Sequence, residues 1–319
     1  MATISYQASH EQFPPSSLVK WAVMAEEAGF GAINSSDHFH PWSVRQGHSG
    51  FSFAWLGAAM QATKIPFGVV CSPGQRYHPA IVAQAAATLC EMFPGRFWMS
   101  LGSGEALNEN ITGEKWPYKK HRQERLLECV QVMRRLFNGE EVTHHGKIIV
   151  EEAKLYTLPS QLPMMFGAAV SDATATWIGS WADGMITVHK PINELKKTLQ
   201  AFEIGGGKGK PMYVKVQLSY ARDESTAIEG AWDQWRSNIL SGEILDDLWK
   251  PEQYDAASQF VRKEDLKKMV HISTDPQFYI DLIKTYADLG ISNIVLHNVN
   301  KEQELFIKDF GEKVLPFCK

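Results

Sequence analysis

Cysteine is scarce in this sequence, and none of it is arranged for chemistry. The 319-residue chain has four cysteines, which form no CxxC pair and no spacing typical of metal ligands: Cys71, Cys90, Cys129 and Cys318. Small secreted folds are held by closely spaced disulfides, and structural zinc sites use paired cysteines or histidines. We therefore expect a reduced, cytoplasmic protein without a metal site.

Long apolar runs and blocks of one charge are missing as well. No stretch approaches the roughly 20 apolar residues of a membrane-spanning helix, and residues 1–6 lack the basic and apolar segments of a secretion signal. The formal net charge is −4, and the acidic and basic residues are scattered along the chain. The sequence therefore predicts no nucleic-acid or membrane partner and favours a small-molecule substrate.

Several motifs of nucleotide-binding and hydrolytic enzymes are also missing. No GxGxxG follows the first predicted strand, and the chain contains no P-loop and no GxSxG. These absences count against a dinucleotide-binding domain of Rossmann type, an NTPase and an α/β-hydrolase.

The sequence has instead a regular alternation of strands and helices. Apolar runs bounded by turn residues predict strands near residues 4–8, 32–35, 67–71, 97–101, 164–167, 184–188, 212–220 and 293–297, each followed by a helical segment. No linker or change in composition interrupts the chain, so we expect one domain over residues 1–319. This order predicts an α/β fold, the (β/α)8 TIM barrel, with an open doubly wound sheet as the alternative.

Two segments exceed the simple repeat. After the fourth strand, a long helix near residues 120–137 precedes a predicted hairpin at 147–155. After the seventh strand, residues 221–270 are charged and mostly helical, and they are too long for a simple connection. We expect this second insertion to cap a pocket.

Reactive side chains follow the predicted strand ends, which is where TIM-barrel enzymes carry their sites. His38 follows the second strand and Glu105 follows the fourth, so both would face one cavity in a barrel. An imidazole and a carboxylate in one pocket can act as a base and an acid. The alternatives are a histidine that only holds its loop and a glutamate that compensates a helix N-terminus.

Two neighbours of His38 have similar alternatives. Asp37 could accept a hydrogen bond from a cofactor, or it could form a turn at the strand exit. Trp42 could stack on a planar ring, or it could pack in the core. Pro41 stiffens the loop that carries these side chains.

Two segments of the chain resemble the luciferase-like superfamily. Residues 36–42, Ser-Asp-His-Phe-His-Pro-Trp, and residues 102–109, Gly-Ser-Gly-Glu-Ala-Leu-Asn-Glu, are similar to its branch of dehydrogenases that use the deazaflavin coenzyme F-420. Those enzymes act on glucose-6-phosphate or secondary alcohols. Residues 76–84 and 92–96 fit the same branch, and the likeness covers most of residues 3–190 before it weakens.

The resemblance implies a role for each candidate residue. His38 would take the hydroxyl proton of the substrate, Glu105 would protonate or hydrogen-bond the reduced cofactor, and Trp42 would line the pocket over the ring. The implied cofactor-binding residues are Asp37, Val70, Ser72, Gly104, Asn108, Ala169, Val170 and Ser171. The implied substrate-binding residues are Thr187, Lys190 and Lys268. The family also implies a homodimer, and a cis peptide at Val69-Val70-Cys71.

The choice of cofactor stays open at this point. Where the deazaflavin enzymes have a Gly-Gly pair after strand five, this chain has Val170-Ser171, whose side chains would crowd a long phospholactate tail. One terminal phosphate, as in FMN, would still suit Ser171 and the helix that starts near Asp172. The family's third sugar-phosphate cation falls near the apolar Ile244-Leu245, which disfavours glucose-6-phosphate.

Three functions follow from these observations. The Val170-Ser171 pair favours an FMN-dependent, luciferase-like monooxygenase that acts on a small organic substrate. The alternative is a coenzyme F-420-dependent dehydrogenase of a secondary alcohol or sugar phosphate, which the pair of His38 and Glu105 supports. A flavin-binding protein without catalytic activity is a third alternative.

Overall fold

Parallel strands and helices alternate around a closed barrel. The structure is a computed structural model that describes residues 2–240 and 242–318, without the side chains of residues 243, 244 and 246. The eight barrel strands are β1 (Thr3–Ala8), β2 (Ala32–Ser36), β3 (Phe67–Cys71), β4 (Phe97–Leu101), β5 (Met164–Ala168), β6 (Gly184–Val188), β7 (Met212–Ser219) and β8 (Asn293–Asn298). All pair in parallel, and β7 closes the ring because it pairs with both β6 and β8. The predicted TIM barrel is confirmed.

One helix follows each barrel strand and covers its outer face. The helices are α1 (Pro15–Ala28), α2 (Ser52–Ala62), α3 (Pro79–Met92), α4 (Lys119–Phe137), α5 (Asp172–Gly179), α6 (Ile192–Phe202), α7 (Pro276–Asp288) and α8 (Gln303–Lys313). Proline starts α1, α3 and α7, because its fixed φ suits a helix and its missing N–H is not needed there. The strand bounds predicted from the sequence, and those of the helix predicted near residues 120–137, agree with the structure to within about one residue.

Side chains alternate between the barrel interior and the helix layer. At the amino-terminal end of the barrel, Tyr213 of β7 packs on Phe166 and Trp98, with ring centroids 4.4 and 5.7 Å apart. A Cβ on Gly68 would lie 2.0 Å from the Trp98 indole, so only glycine fits opposite that ring. The strand residues of opposite parity join the large core between the strands and the helices.

Both predicted insertions are present. After β4 come a short helix, Ala106–Glu109, then α4, then an antiparallel hairpin of Val142–His145 with Ile149–Ala153. Residues 221–270, here called the cap segment, contain three helices and two 3₁₀ turns: Glu224–Trp235, Arg236–Ile239, Gly242–Asp247, Pro251–Ala257 and Lys263–Lys268. The cap segment is therefore mostly helical, as expected.

The cap segment packs on the loop that follows β2. Tyr254 meets Trp42 edge to face, with ring centroids 5.4 Å apart, and Leu245 and Leu248 pack on the same cluster. The Tyr254 hydroxyl donates to the Leu245 and Leu248 carbonyls, at 2.5 and 3.1 Å, which holds these turns of the cap together. The indole that the sequence placed near a pocket is thus covered by the second insertion.

One expectation about the third strand is wrong. No peptide bond is cis among the residues described, and this includes Val69-Val70-Cys71. These residues form regular parallel pairs on both sides, with Val70 opposite Ser36 on β2 and Ser100 on β4. β3 therefore pairs with both neighbouring strands through trans peptide bonds alone. Among the described residues, no helix is long and apolar enough to cross a membrane.

Candidate active site

Three ionisable side chains meet at the carboxyl-terminal end of the barrel. Nε2 of His38, which follows β2, lies 3.4 Å from Oε1 of Glu11 and 4.0 Å from Oε2 of Glu105. The loops after β1, β2 and β4 thus bring one imidazole between two carboxylates. The structure brings His38 and Glu105 together as predicted. Glu11 was missed, although the rule that selected the other two, a reactive residue after a strand end, applies to it as well.

Asn108 determines which nitrogen of His38 carries the proton. The Asn108 Oδ1 accepts hydrogen bonds from the backbone N–H groups of Phe39 and His40, at 2.8 and 3.3 Å. This leaves its Nδ2 to donate toward Nδ1 of His38, at 3.2 Å. The lone pair of the neutral imidazole is then on Nδ1, and its N–H is at Nε2, facing the carboxylates. Asn108, which the resemblance implied as a cofactor-binding residue, thus orients the His38 imidazole through its amide.

Glu11 is buried and held as a carboxylate. Its Oε2 accepts hydrogen bonds from Ser36 and Ser9, at 2.5 and 3.0 Å, and only 3% of the residue is exposed. Burial alone would raise the pKa of Glu11, but His38, Lys215 and the Ser36 hydrogen bond outweigh it and lower the pKa to about 2. Glu11 is therefore a carboxylate at neutral pH, next to Nε2 of His38.

His38 is neutral at neutral pH. Burial lowers the pKa of His38 below its usual 6.5, in spite of the opposing Glu11 carboxylate. Trp42 lies beside it, with ring centroids 5.1 Å apart, and the indole is only 8% exposed. Trp42 thus contacts both His38 and Tyr254 of the cap segment.

The Asp37 carboxylate is committed to the protein. It accepts hydrogen bonds from Arg76 at 2.9 Å and from the Tyr77 hydroxyl at 3.2 Å, and its side chain is 1% exposed. The same guanidinium lies 3.5 Å from Glu109. The predicted cofactor contact of Asp37 is therefore not available to its carboxylate. The group instead fixes the loop after β3 against the loop after β2.

Small residues meet at the ends of β3, β4 and β5. A Cβ added to Gly102 would lie 3.5 Å from the Ser72 Oγ and 3.9 Å from the Ala168 Cβ, so these three residues meet at one rim. Val70 faces the same interior, one position before the end of β3. Small residues of this kind let a ligand approach the backbone closely. The predicted Ser72 and Val70 lie here, and Ala169 is buried just behind the rim.

Gly104 is required by the backbone of the next turn. Its φ is 85°, and a Cβ there would lie 3.0 Å from Glu109 Cγ and 3.3 Å from the Trp116 ring. Only glycine tolerates both the left-handed conformation and this approach. The turn aims the next residue, Glu105, toward His38.

The Val170-Ser171 pair lies at the start of α5. Val170 is 60% exposed, and the Ser171 hydroxyl caps α5 by accepting a hydrogen bond from the Thr174 N–H at 3.3 Å. Lys190 Nζ donates to the Val170 carbonyl at 2.6 Å and to Thr198 at 3.0 Å. A cation therefore stands beside the N-terminus of α5, which suits a phosphate group. The valine side chain thus lies at the surface and does not fill the barrel interior.

The predicted substrate-binding residues are not gathered at His38. Thr187 is 2% exposed and has the opposite strand parity to Gly184, whose position meets the interior ring of Phe166. Thr187 therefore faces the helix layer. Lys268 has a side chain that is 75% exposed and pairs with Asp265 at 3.1 Å. Of the three, only Lys190 lies near the rim. Within the described ranges, no three His, Cys, Asp or Glu side chains are grouped to hold a metal ion.

Comparisons with known proteins agree with this geometry. A family model for luciferase-like monooxygenases matches residues 1–293. The chain is 35% identical over 323 residues to an F420-dependent glucose-6-phosphate dehydrogenase of Microbacterium testaceum (strain StLB037), a match that covers 98% of this chain and 96% of that protein. The resemblance inferred from the sequence is confirmed.

Solved structures extend the comparison. An F420-dependent secondary alcohol dehydrogenase, in complex with an F420-acetone adduct, matches with a TM-score of 0.93 and 31% identity over 100% of both chains. A long-chain alkane monooxygenase matches with a TM-score of 0.73 and 16% identity over 99% of this chain and 90% of that one, which shows a shared fold alone. The chain therefore belongs to the luciferase-like monooxygenase family.

Proposed function

We propose that this protein is a coenzyme F-420-dependent dehydrogenase that removes a hydride from a secondary alcohol. The observation that carries the proposal is the meeting of His38, Glu11 and Glu105 over a rim of small residues. Relatives that match nearly the whole chain bear the names of F420-dependent dehydrogenases. An FMN-dependent monooxygenase, which Val170-Ser171 favoured in the sequence, has less support, because such monooxygenases are distant matches and Val170 is exposed.

When bound, the deazaflavin ring supplies the hydride acceptor. On the protein side, the substrate hydroxyl would lie beside Nε2 of His38 and Oε1 of Glu11, which are 3.4 Å apart, so that both atoms can reach it. His38 donates its Nε2–H to the hydroxyl oxygen, and the Glu11 carboxylate accepts the hydroxyl proton. The resemblance implied His38 as the proton acceptor; the Asn108 amide assigns this role to Glu11, because it occupies the lone pair of His38.

Glu105 lies on the other side of His38, and its carboxyl oxygen is 4.0 Å from Nε2. From the end of β4, next to Gly104, it faces the space above the rim. We assign to it the hydrogen bond to the cofactor that the resemblance implies. Trp42 and the cap segment exclude water from the same space, which strengthens the electrostatic interactions inside it. The tail of the cofactor would pass Ser171, where Lys190 and the N-terminus of α5 can hold a phosphate.

Parallel titrations test the choice of cofactor. Purified protein is titrated with coenzyme F-420 and with FMN, and binding is followed by the fluorescence of each chromophore. We expect binding of coenzyme F-420 at about micromolar Kd, near −8 kcal/mol, and none of FMN in the same range. Tight FMN binding without binding of coenzyme F-420 would sink the proposal and restore the monooxygenase interpretation. Lys190→Met, which removes the cation beside α5, should weaken binding of the cofactor that is used.

Turnover provides the second half of the test. With coenzyme F-420 in excess, 2-propanol should reduce the cofactor, seen as loss of its visible absorbance, and glucose-6-phosphate should be a poor substrate. Binding without turnover of any alcohol would favour the third alternative, a binding protein without catalytic activity. The homodimer and the cytoplasmic location remain predictions, and light scattering measures the first.

A further inference from the structure

A lysine lies inside the barrel beneath the two carboxylates. Tyr213 of β7 faces the interior, where it packs on Phe166, and Lys215 follows two residues later on the same face. Lys215 stands beside Val188 of β6 and Val295 of β8 in the ladder. Its side chain therefore enters the barrel interior from the middle of β7.

The charge of Lys215 is coupled to the candidate active site. Burial lowers the pKa of Lys215, whereas the charges of Glu11 and Glu105 oppose that effect, so both carboxylates lie within electrostatic reach of the amine. The same charge helps to lower the pKa of His297, which is 2% exposed on β8. Lys215 thus lies in the barrel interior below the site, here called its floor, while His38 lies in the loop after β2.

Despite this position, the Lys215 amine has no hydrogen-bond acceptor and no ion pair within 4.0 Å among residues 2–240 and 242–318. Glu11 directs its oxygens to Ser9, Ser36 and His38 instead. An ammonium group has three N–H donors, and Lys215 is partly rather than fully buried, so a ligand can reach them. The floor of the site therefore offers donors that the protein itself does not use.

The charges around Lys215 indicate what it can bind. The floor holds the carboxylates Glu11 and Glu105, neutral imidazoles at His38 and His297, and one amine. An anionic substrate group would add a third negative charge beside two carboxylates, with one lysine to balance them. An uncharged hydroxyl fits better, because it accepts from the amine and adds no charge.

We propose that Lys215 binds a second hydroxyl of the substrate, so that the substrate is an uncharged vicinal diol or polyol. This rests on the proposed dehydrogenase function. The carbinol C–H transfers its hydride to coenzyme F-420, its O–H proton goes to Glu11, and the product is the corresponding hydroxyketone. The neighbouring hydroxyl does not react. It accepts a hydrogen bond from the Lys215 amine, which keeps the carbinol next to His38.

A matched pair of alcohols tests the proposal. Propane-1,2-diol and 2-propanol share the same CH(OH)CH₃ group and differ by one hydroxyl. We expect kcat/KM for the diol to exceed that for 2-propanol by about ten-fold or more, the size of one charge-assisted hydrogen bond. In Lys215→Met this ratio should fall to about one. Lys268→Met, which removes an exposed lysine of the cap segment, should keep the ratio.

Binding provides a measurement that does not depend on turnover. Saturation-transfer NMR on the cofactor-free protein should show contact with propane-1,2-diol that Lys215→Met and Lys215→Gln both lose, with thermal melts to confirm that each variant is folded. Equal kcat/KM for the two alcohols in the wild type, a preference that survives in a folded Lys215 variant, or a preference for lactate over the diol overturns the proposal. Failure of coenzyme F-420 to bind would instead overturn the proposed function, and the NMR result would still report on Lys215.

Discussion

The amide of Asn108 faces Nδ1 of His38 at 3.2 Å, and it cannot turn over without losing two backbone hydrogen bonds. This relationship sets the protonation of the imidazole. A donor opposite Nδ1 disfavours a proton there, so it opposes the imidazolium form and keeps the neutral N–H at Nε2. Burial acts in the same direction and lowers the pKa of His38.

Asn108→Asp reverses this arrangement. One aspartate oxygen can still accept hydrogen bonds from the Phe39 and His40 N–H groups. The other can accept a hydrogen bond from a protonated Nδ1 of His38. We expect the pKa of His38 to rise by about one unit or more, because a carboxylate favours the imidazolium. The acid limb of the kcat/KM profile, or the His38 resonance in NMR, measures the shift. Asn110→Asp adds the same charge two residues further on, and an equal shift there would show that charge alone is responsible.

Glu11→Gln tests the assignment of the proton acceptor. The amide keeps the shape of the side chain but cannot take a proton, so kcat should fall by about 10²- to 10⁴-fold. The Kd for coenzyme F-420 should change little, because Glu11 lies beneath His38 and not at the rim. Ser9→Ala, which removes only one hydrogen bond to Glu11, should lose less than about ten-fold. Near-normal kcat in Glu11→Gln would return the role of acceptor to His38.

The sequence predicts the barrel because its signals are local. A continuous apolar run at Phe67–Cys71 indicates a strand covered on both faces, and prolines and glycines mark where the helices begin and end. The strand-end rule then selects His38 and Glu105 without any knowledge of distances. Glu11 satisfies the same rule, so its omission was avoidable.

Other parts of the site depend on tertiary direction, which the sequence does not contain. Lys215 lies in an alternating strand, and only the closed barrel shows which face of that strand is interior. The size of Val170 is visible in the sequence and suggests crowding of a cofactor tail, whereas the exposure of its side chain is visible only in the structure. Lys268 has a charge that suits a phosphate, but the fold of the cap segment leaves it exposed beside Asp265.

Gly104→Ala should destabilise the protein and disturb Glu105. A left-handed φ costs a residue with a Cβ about 1–2 kcal/mol, and the new methyl group would also press on Glu109 and Trp116. Gly113 provides the control, because its φ is also positive, at 75°, and a Cβ there would meet nothing within 4 Å. Urea unfolding should therefore show a larger loss for Gly104→Ala than for Gly113→Ala. Equal losses would mean that the approach of Glu109 and Trp116 is relieved at no cost.

Asp255→Asn should loosen the cap segment. Asp255 accepts from the Val44 N–H at 3.0 Å, and its other oxygen lies 2.5 Å from Arg45, so it joins the cap to the loop that carries Trp42. We expect KM for the alcohol to rise about three- to ten-fold, and hydrogen exchange in residues 251–257 to quicken. Glu229→Gln removes an exposed ion pair elsewhere in the cap, with Lys263, and should change neither. Unchanged KM in Asp255→Asn would show that this contact does not control access.

His10 should make the stability of the fold depend on pH. The residue is fully buried, neither ring nitrogen has a hydrogen-bond partner in the described part of the chain, and its ring lies 4.8 Å from Trp55. Burial lowers the pKa of His10 from 6.5 to about 4. Between these values the unfolded chain binds a proton that the folded protein does not. The stability linked to His10 is therefore fully present above about pH 6.5 and is lost as the pH falls toward 4.

His10→Phe removes this proton uptake while keeping a ring against Trp55. The free energy of unfolding of the wild type should fall between pH 7.5 and 5, and the variant should lose about 1–3 kcal/mol less over the same interval. Urea unfolding at each pH measures both curves. His145→Gln, at an exposed histidine of the hairpin, should follow the wild-type curve. If His10→Phe follows it too, the pH dependence arises from the other buried histidines, such as His297, whose pKa is also lowered by burial.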